Sequence, residues 1–181
     1  MHAYFDTGVL VPLYVPESFS DTMTAYLESH GEAIPLSLFQ RLELENAFRL
    51  KAFRGEIEAD RCLAILQKIE STANDGFLVL RPANWVKAFD KARSIGERVT
   101  AKTGCRTLDL IHVAIAVQWG CSIFVSADER QLAAAKAEGL RVVDVRDLHR
   151  RRGGGRTEPG AVREAHAHYG SKKRVSRRLR Q

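Results

Sequence analysis

The chain has 181 residues, 45% hydrophobic and 28% charged, proportions that exclude a wholly disordered or collagen-like protein and suit one globular domain with an extension. Its formal charge of +6 is unevenly placed: residues 1–149 carry 17 basic and 20 acidic side chains, whereas residues 150–181 carry 11 basic and 2 acidic ones. Three separated cysteines (Cys62, Cys105, Cys121) form no CxxC pair and read as buried, reduced thiols. With no apolar run long enough to span a bilayer and no secretory-signal pattern at the N-terminus, the expectation is a cytoplasmic protein.

Ala3-Tyr4-Phe5 is the first predicted strand, ending at Asp6. Thr7 is placed to cap a helix in which Val9, Leu10, Leu13 and Tyr14 recur at helical spacing. A second helix is expected from Ser18 towards His30, then a strand at Ala33–Leu36, with Pro35 marking an edge or strand end. Ser37 opens a helix through Lys51, Gly55 breaks it, and another amphipathic helix covers Glu56–Thr72. After the Asn74-Asp75-Gly76 turn signal comes a strand at Phe77–Leu80, followed by a helix from about Asn84 to Lys102 that Gly104 ends. Thr107 is placed to cap an apolar helix over Leu108–Trp119, stopped by Gly120. Ser122–Ser126 reads as a buried strand, Asp128–Glu138 as a helix, and Arg141-Val142-Val143 as the start of the last strand.

Brief apolar strands alternating with helices predict an α/β fold whose parallel sheet is covered by helices on both faces. Beyond residue 149 the texture changes to Arg-, Lys- and Gly-rich sequence. Residues 150–181 are expected to be a basic, flexible tail, with one helical candidate at Pro159–Tyr169. As a polycation, this tail favours phosphate backbones in a salt-dependent way.

Four carboxylates stand out by position. Asp6 ends the first strand and Asp128 follows the Ile123–Ser126 strand, at the edge where open parallel sheets bind ligands. Asp109 lies in the first turn of an otherwise apolar helix, and Glu43 sits between Leu42 and Leu44. Each alone also has a structural reading: Asp6 and Asp128 as helix caps, Asp109 as an anion at a helix N-terminus, Glu43 on an exposed face. Brought together, they repel unless a proton or a cation neutralises them. An all-oxygen ligand set selects Mg²⁺, with Mn²⁺ as its substitute. Such a centre suits phosphodiester hydrolysis by a metal-activated water, with no Ser, Cys or His nucleophile.

Phe5-Asp6-Thr7, Glu43 within Arg41–Ala47, Thr107-Leu108-Asp109-Leu110-Ile111-His112-Val113-Ala114 and Phe124-Val125-Ser126-Ala127-Asp128 together resemble the motifs of PIN domains. The similarity covers roughly residues 2–148, in the family's order, and is nearest to VapC-type toxins of toxin–antitoxin modules. It implies a PIN-like three-layer α/β/α nuclease domain over residues 1–149 and a Mg²⁺-dependent endoribonuclease held in check by a cognate antitoxin. It also implies a homodimer. By position, Asp6, Glu43, Asp109 and Asp128 are the implied catalytic metal ligands, with Ser126 and Thr7 orienting water or a carboxylate. Gly8 departs from the family's usual Ser or Asn, and Glu45 competes with Glu43 for the inward-facing position. Arg106 is a candidate phosphate contact or a solvated surface residue; His112 is either a packed core histidine or a site residue.

An aspartyl-phosphate phosphatase needs a second acid two residues after Asp6, where Gly8 stands, and a receiver domain needs a clustered acidic pair and a late lysine. The remaining alternative is a catalytically inactive PIN-like module that binds RNA or a protein partner.

Overall fold

In the computed structural model of the chain, which describes residues 2–153, every strand is three or four residues long and every strand pair is parallel. The order is β1 (Ala3–Phe5), α1 (Thr7–Leu10), a 3-10 turn at Val11–Leu13, α2 (Ser20–His30), β2 (Ile34–Leu36), α3 (Leu38–Phe53), α4 (Ala59–Asn74) and β3 (Leu78–Leu80). There follow α5 (Trp85–Thr103), α6 (Thr107–Gln118), β4 (Ile123–Ser126), α7 (Glu129–Ala137), β5 (Arg141–Asp144) and α8 (Val145–Arg151). One sheet has the order β1-β4-β5; the other pairs β2 with β3 and lies against β1 without sharing a ladder.

Alternation along the strands divides the core into two layers. Ala3, Phe5, Ile123 and Val125 pack on one side with residues of α2, α3 and α4. Tyr4 and Phe124, stacked at 5.3 Å, face the other side with α5, α6 and α7. The result is the three-layer α/β/α arrangement with helices on both faces. Full burial of Tyr4, Phe5, Phe124 and Phe48 supplies much of its hydrophobic stabilisation, at roughly 1.5–3 kcal/mol for each large apolar side chain.

Several boundaries differ from the sequence reading, each for a local reason. The helix after Asp6 tightens into a 3-10 turn because Pro12 offers no backbone N–H to continue an α-helix. Asp6, not Thr7, occupies the N-cap position, although its carboxylate makes no capping bond. Arg106, not Thr107, takes that position for α6. The helix expected from Glu56 begins at Ala59, since Glu56 closes the preceding turn through Lys51 Nζ at 3.0 Å. Gly104 ends α5 in the left-handed region (φ 67°), where a side chain is strained.

Helix α8 runs through residue 149, with Val145 buried and His149 Nδ1 3.0 Å from Thr22 Oγ1. Residues 150–153, the first of the expected tail, are described together with it. The rest of the basic tail, including the Pro159–Tyr169 helix expectation, lies outside the described residues. Cys62, Cys105 and Cys121 are all buried and unpaired. Among the described residues no helix is long and apolar enough to cross a membrane.

Candidate active site

The site is built at the carboxyl ends of β1 and β4. Their register pairs Phe5 with Val125, and Asp6 N–H extends the ladder to Val125 O at 3.0 Å, so Asp6 and Ser126 emerge side by side. Both follow the alternation that directs Tyr4 and Phe124 towards α6 and α7. Ser37 and Gln40 form a capping box at the start of α3, and Gln40 Nε2 also donates to Phe5 O at 2.7 Å. One glutamine thus fixes the N-terminus of α3 beside Asp6, and Glu43 follows on the same helix face. Asp109 and His112 share a face of α6, while Gln131 comes from α7.

A continuous run of contacts links three carboxylates. Gln131 Nε2 donates to Asp109 Oδ1 at 3.1 Å and to Asp6 Oδ1 at 3.3 Å. His112 Nε2 lies 3.6 Å from Asp6 Oδ1 and 2.8 Å from Glu43 Oε2. Thr7 Oγ1 donates to Glu43 Oε2 at 2.8 Å, and Ser126 Oγ donates to Asp6 Oδ2 at 3.2 Å. Behind the imidazole, the buried Tyr4 hydroxyl lies 2.8 Å from His112 Nδ1. The order Asp109, Gln131, Asp6, His112, Glu43 alternates hydrogen-bond acceptors with donors.

Electrostatics follow this geometry. Burial pushes the Asp6 carboxyl above its ordinary value, against the His112 charge and the hydrogen bonds from Gln131 and Ser126. Burial alone disfavours the His112 imidazolium, but the Glu43 hydrogen bond and the Asp6 charge outweigh it and raise the histidine. Burial, with the Asp109 and Asp128 charges behind it, pushes the nearby Cys105 thiol to about 11, which keeps it out of nucleophilic chemistry.

Of the sequence-predicted acids, Asp6, Glu43 and Asp109 are brought together and Asp128 is not. Asp128 Oδ1 accepts from the Arg130 backbone N–H at 2.8 Å, and the Arg130 guanidinium grips both carboxylate oxygens at 3.2 and 2.7 Å. The Arg130 side-chain hydrogen bond holds the Asp128 carboxyl below its ordinary value. Asp144 and Arg146 repeat the same arrangement at the start of α8, so this fork is a local helix-start device. Asp128 meets the site through its N–H, which donates to Ser126 Oγ at 3.0 Å, and through a hydrogen bond from the Gln131 backbone.

Glu45 points away from the cluster, paired with Arg41 at 2.9 Å and Arg49 at 3.2 Å, which settles the inward-facing position in favour of Glu43. The Thr7 and Ser126 hydroxyls each orient a carboxylate. The Arg106 backbone N–H donates to Asp109 Oδ2 at 3.0 Å, and its exposed guanidinium stands 3.8 Å from the same oxygen. His112 unites its two sequence readings, being both core residue and site residue. Gln131 and Arg130 escaped the sequence reading altogether.

Among the described residues, no three Asp, Glu, His or Cys side chains are grouped so as to hold one metal ion. The chemistry of the donor set nevertheless suits a hard divalent cation. Asp6, Asp109 and Glu43 offer oxygen ligands, and Gln131 adds a buried Oε1 that has no hydrogen-bond partner among the described residues. No protein-family model matches the chain, and no curated protein is significantly similar to it.

Proposed function

We propose that the chain is a Mg²⁺-dependent endoribonuclease of PIN type, acting in the cytoplasm as the toxin of a toxin–antitoxin pair. Mn²⁺ substitutes for Mg²⁺, and the protein works as a homodimer that a cognate antitoxin inhibits. The observation carrying this reading is the run Asp109–Gln131–Asp6–His112–Glu43, which gathers acids from three elements at the carboxyl edge of a parallel sheet. Those acids belong to motifs that resemble PIN domains in the same order along the chain.

Asp6, Glu43 and Asp109 are the residues that would hold the cation, with Asp128 at the rim. A cation held there would supply a water of lowered pKa and polarise the scissile phosphate. The chain's own groups do the positioning. Thr7 and Ser126 fix the rotamers of Glu43 and Asp6, and Tyr4 fixes the His112 ring. The exposed Arg106 guanidinium beside Asp109 is placed to meet an RNA phosphate, and the basic tail adds non-specific attraction.

A non-catalytic RNA-binding module is favoured by one observation, the engagement of Asp128 by Arg130. Incubating full-length protein with mixed RNA, with Mg²⁺ and after chelation, separates the two. Metal-dependent fragments support the nuclease; metal binding without cleavage of any RNA supports the module. Suppression of cleavage by the product of an adjacent small reading frame tests the toxin assignment.

A further inference from the structure

Gln131 is buried on α7, and its two amide atoms have opposite fates. Nε2 donates to both Asp6 Oδ1 and Asp109 Oδ1, whereas Oε1 is buried with no partner among the described residues. A buried carbonyl oxygen without a donor is unfavourable, so something must outweigh it. The carboxylates do: with Oε1 turned towards them, three oxygens would crowd together and both acids would lose a donor. The amide nitrogen therefore occupies the place between Asp6 and Asp109 that a cation would otherwise fill.

A half-turn of the terminal amide exchanges its two ends without changing the volume of the side chain. Once positive charge lies between the acids, the preference reverses, because a carbonyl oxygen is a hard neutral ligand and an N–H is repelled. Neutrality matters in this place. A fourth carboxylate would add negative charge where an RNA phosphate must also approach, whereas an amide oxygen adds a ligand and no charge.

We propose that Gln131 is a ligand-switching residue, its Nε2 bridging Asp6 and Asp109 in the metal-free protein and its Oε1 ligating the divalent cation in the loaded one. This inference rests on the metal-site reading above and extends it to a residue outside the four acids. It also explains how a buried Asp6 and a half-buried Asp109 stay side by side in the absence of metal.

The test uses full-length protein, with Mn²⁺ as the calorimetric probe and Mg²⁺ as the probe for side-chain amide NMR. In the parent, the Gln131 side-chain NH₂ resonances are expected to shift saturably with Mg²⁺ and to lose that response in Asp6→Asn. Gln131→Met, close in size but lacking both amide atoms, is expected to bind Mn²⁺ about 10- to 100-fold more weakly. Gln131→Glu keeps an oxygen and loses the donor; it is expected to melt lower than the parent without metal and to bind Mn²⁺ at least as tightly. If Asp6→Asn abolishes Mn²⁺ binding while Gln131→Met binds like the parent, the Gln131 assignment alone is overturned. An amide signal unmoved at saturating Mg²⁺ overturns it equally, whether or not the variants fold. If the parent binds no Mn²⁺, or Asp6→Asn binds it unchanged, the metal-site reading falls and takes this inference with it.

Discussion

His112 Nε2 lies 2.8 Å from Glu43 Oε2, on a helix whose other buried positions are apolar, so one imidazole belongs at once to the core and to the acid cluster. Its Nδ1 is held by Tyr4, which itself stacks on Phe124, and its ring lies 4.9 Å from Phe39. The cluster is thereby locked to the aromatic interior of the domain.

Replacing His112 by Phe keeps the ring volume and removes both hydrogen bonds. The buried Tyr4 hydroxyl is left without its imidazole partner, and denaturant unfolding at neutral pH is expected to show a loss of about 2 kcal/mol. The loss depends on pH with a definite sign. Because the folded-state pKa is raised above 6.5, the imidazolium's contribution is complete below that value and disappears as pH rises through the folded value. The difference between parent and His112→Phe should therefore narrow towards alkaline pH.

Gly8 has room for a Cβ only at 3.2 Å from Asp6 Oδ2, and that carboxylate is already held by Ser126, Gln131 and His112. Gly8→Ala gains helix propensity, worth up to about 1 kcal/mol, so thermal stability should change little. The displaced carboxylate is expected to lower metal-dependent cleavage about tenfold or more. Calorimetric melting together with cleavage kinetics reads both effects.

Glu138 anchors the C-terminal end of α7 to α5 through Lys91 Nζ at 2.6 Å and Arg98. Burial pushes its carboxyl up, but the two cations outweigh burial and depress it below 4.5. Its contribution is thus present above that value and lost as pH falls through the depressed one. With both cations partly exposed, Glu138→Gln should cost only about 1 kcal/mol at pH 7. The cost should vanish in acid, as urea unfolding across pH will show.

Residues 154–181 carry eight basic and two acidic side chains. Neutralising Lys172, Lys173, Arg174, Arg177, Arg178 and Arg180 to Gln in the full chain should weaken RNA binding and flatten its salt dependence. Each lost phosphate contact on single-stranded RNA reduces the slope of log K against log salt by about 0.7. Cleavage at saturating RNA should persist, because the acids lie elsewhere; fluorescence titration and single-turnover cleavage separate the two effects.

The parts of the fold readable in the sequence are those governed by local pattern. Short apolar strands, the Ser37 cap, the Gly104 stop and the apolar run of α6 all declare themselves, and from them follows the edge where Asp6 and Ser126 emerge. Contacts between distant elements are less visible. Gln131 lies between exposed-face and core neighbours on α7, and no spacing rule marks it as the bridge between Asp6 and Asp109. The Arg130 fork has a faint signal, Asp-x-Arg at a helix start, which recurs at Asp144–Arg146 and also foretells α8. His112 hides in an apolar helix because burial and acid binding ask for the same inward position.

The most direct test is single-turnover RNA cleavage by the full-length protein, titrated with Mg²⁺, for the parent and for Asp6→Asn matched in circular dichroism. A metal-dependent nuclease centre on Asp6 requires Mg²⁺ for cleavage, stops on chelation and loses at least about 100-fold in Asp6→Asn. Cleavage that is indifferent to Mg²⁺, or equally fast in Asp6→Asn, would rule that centre out.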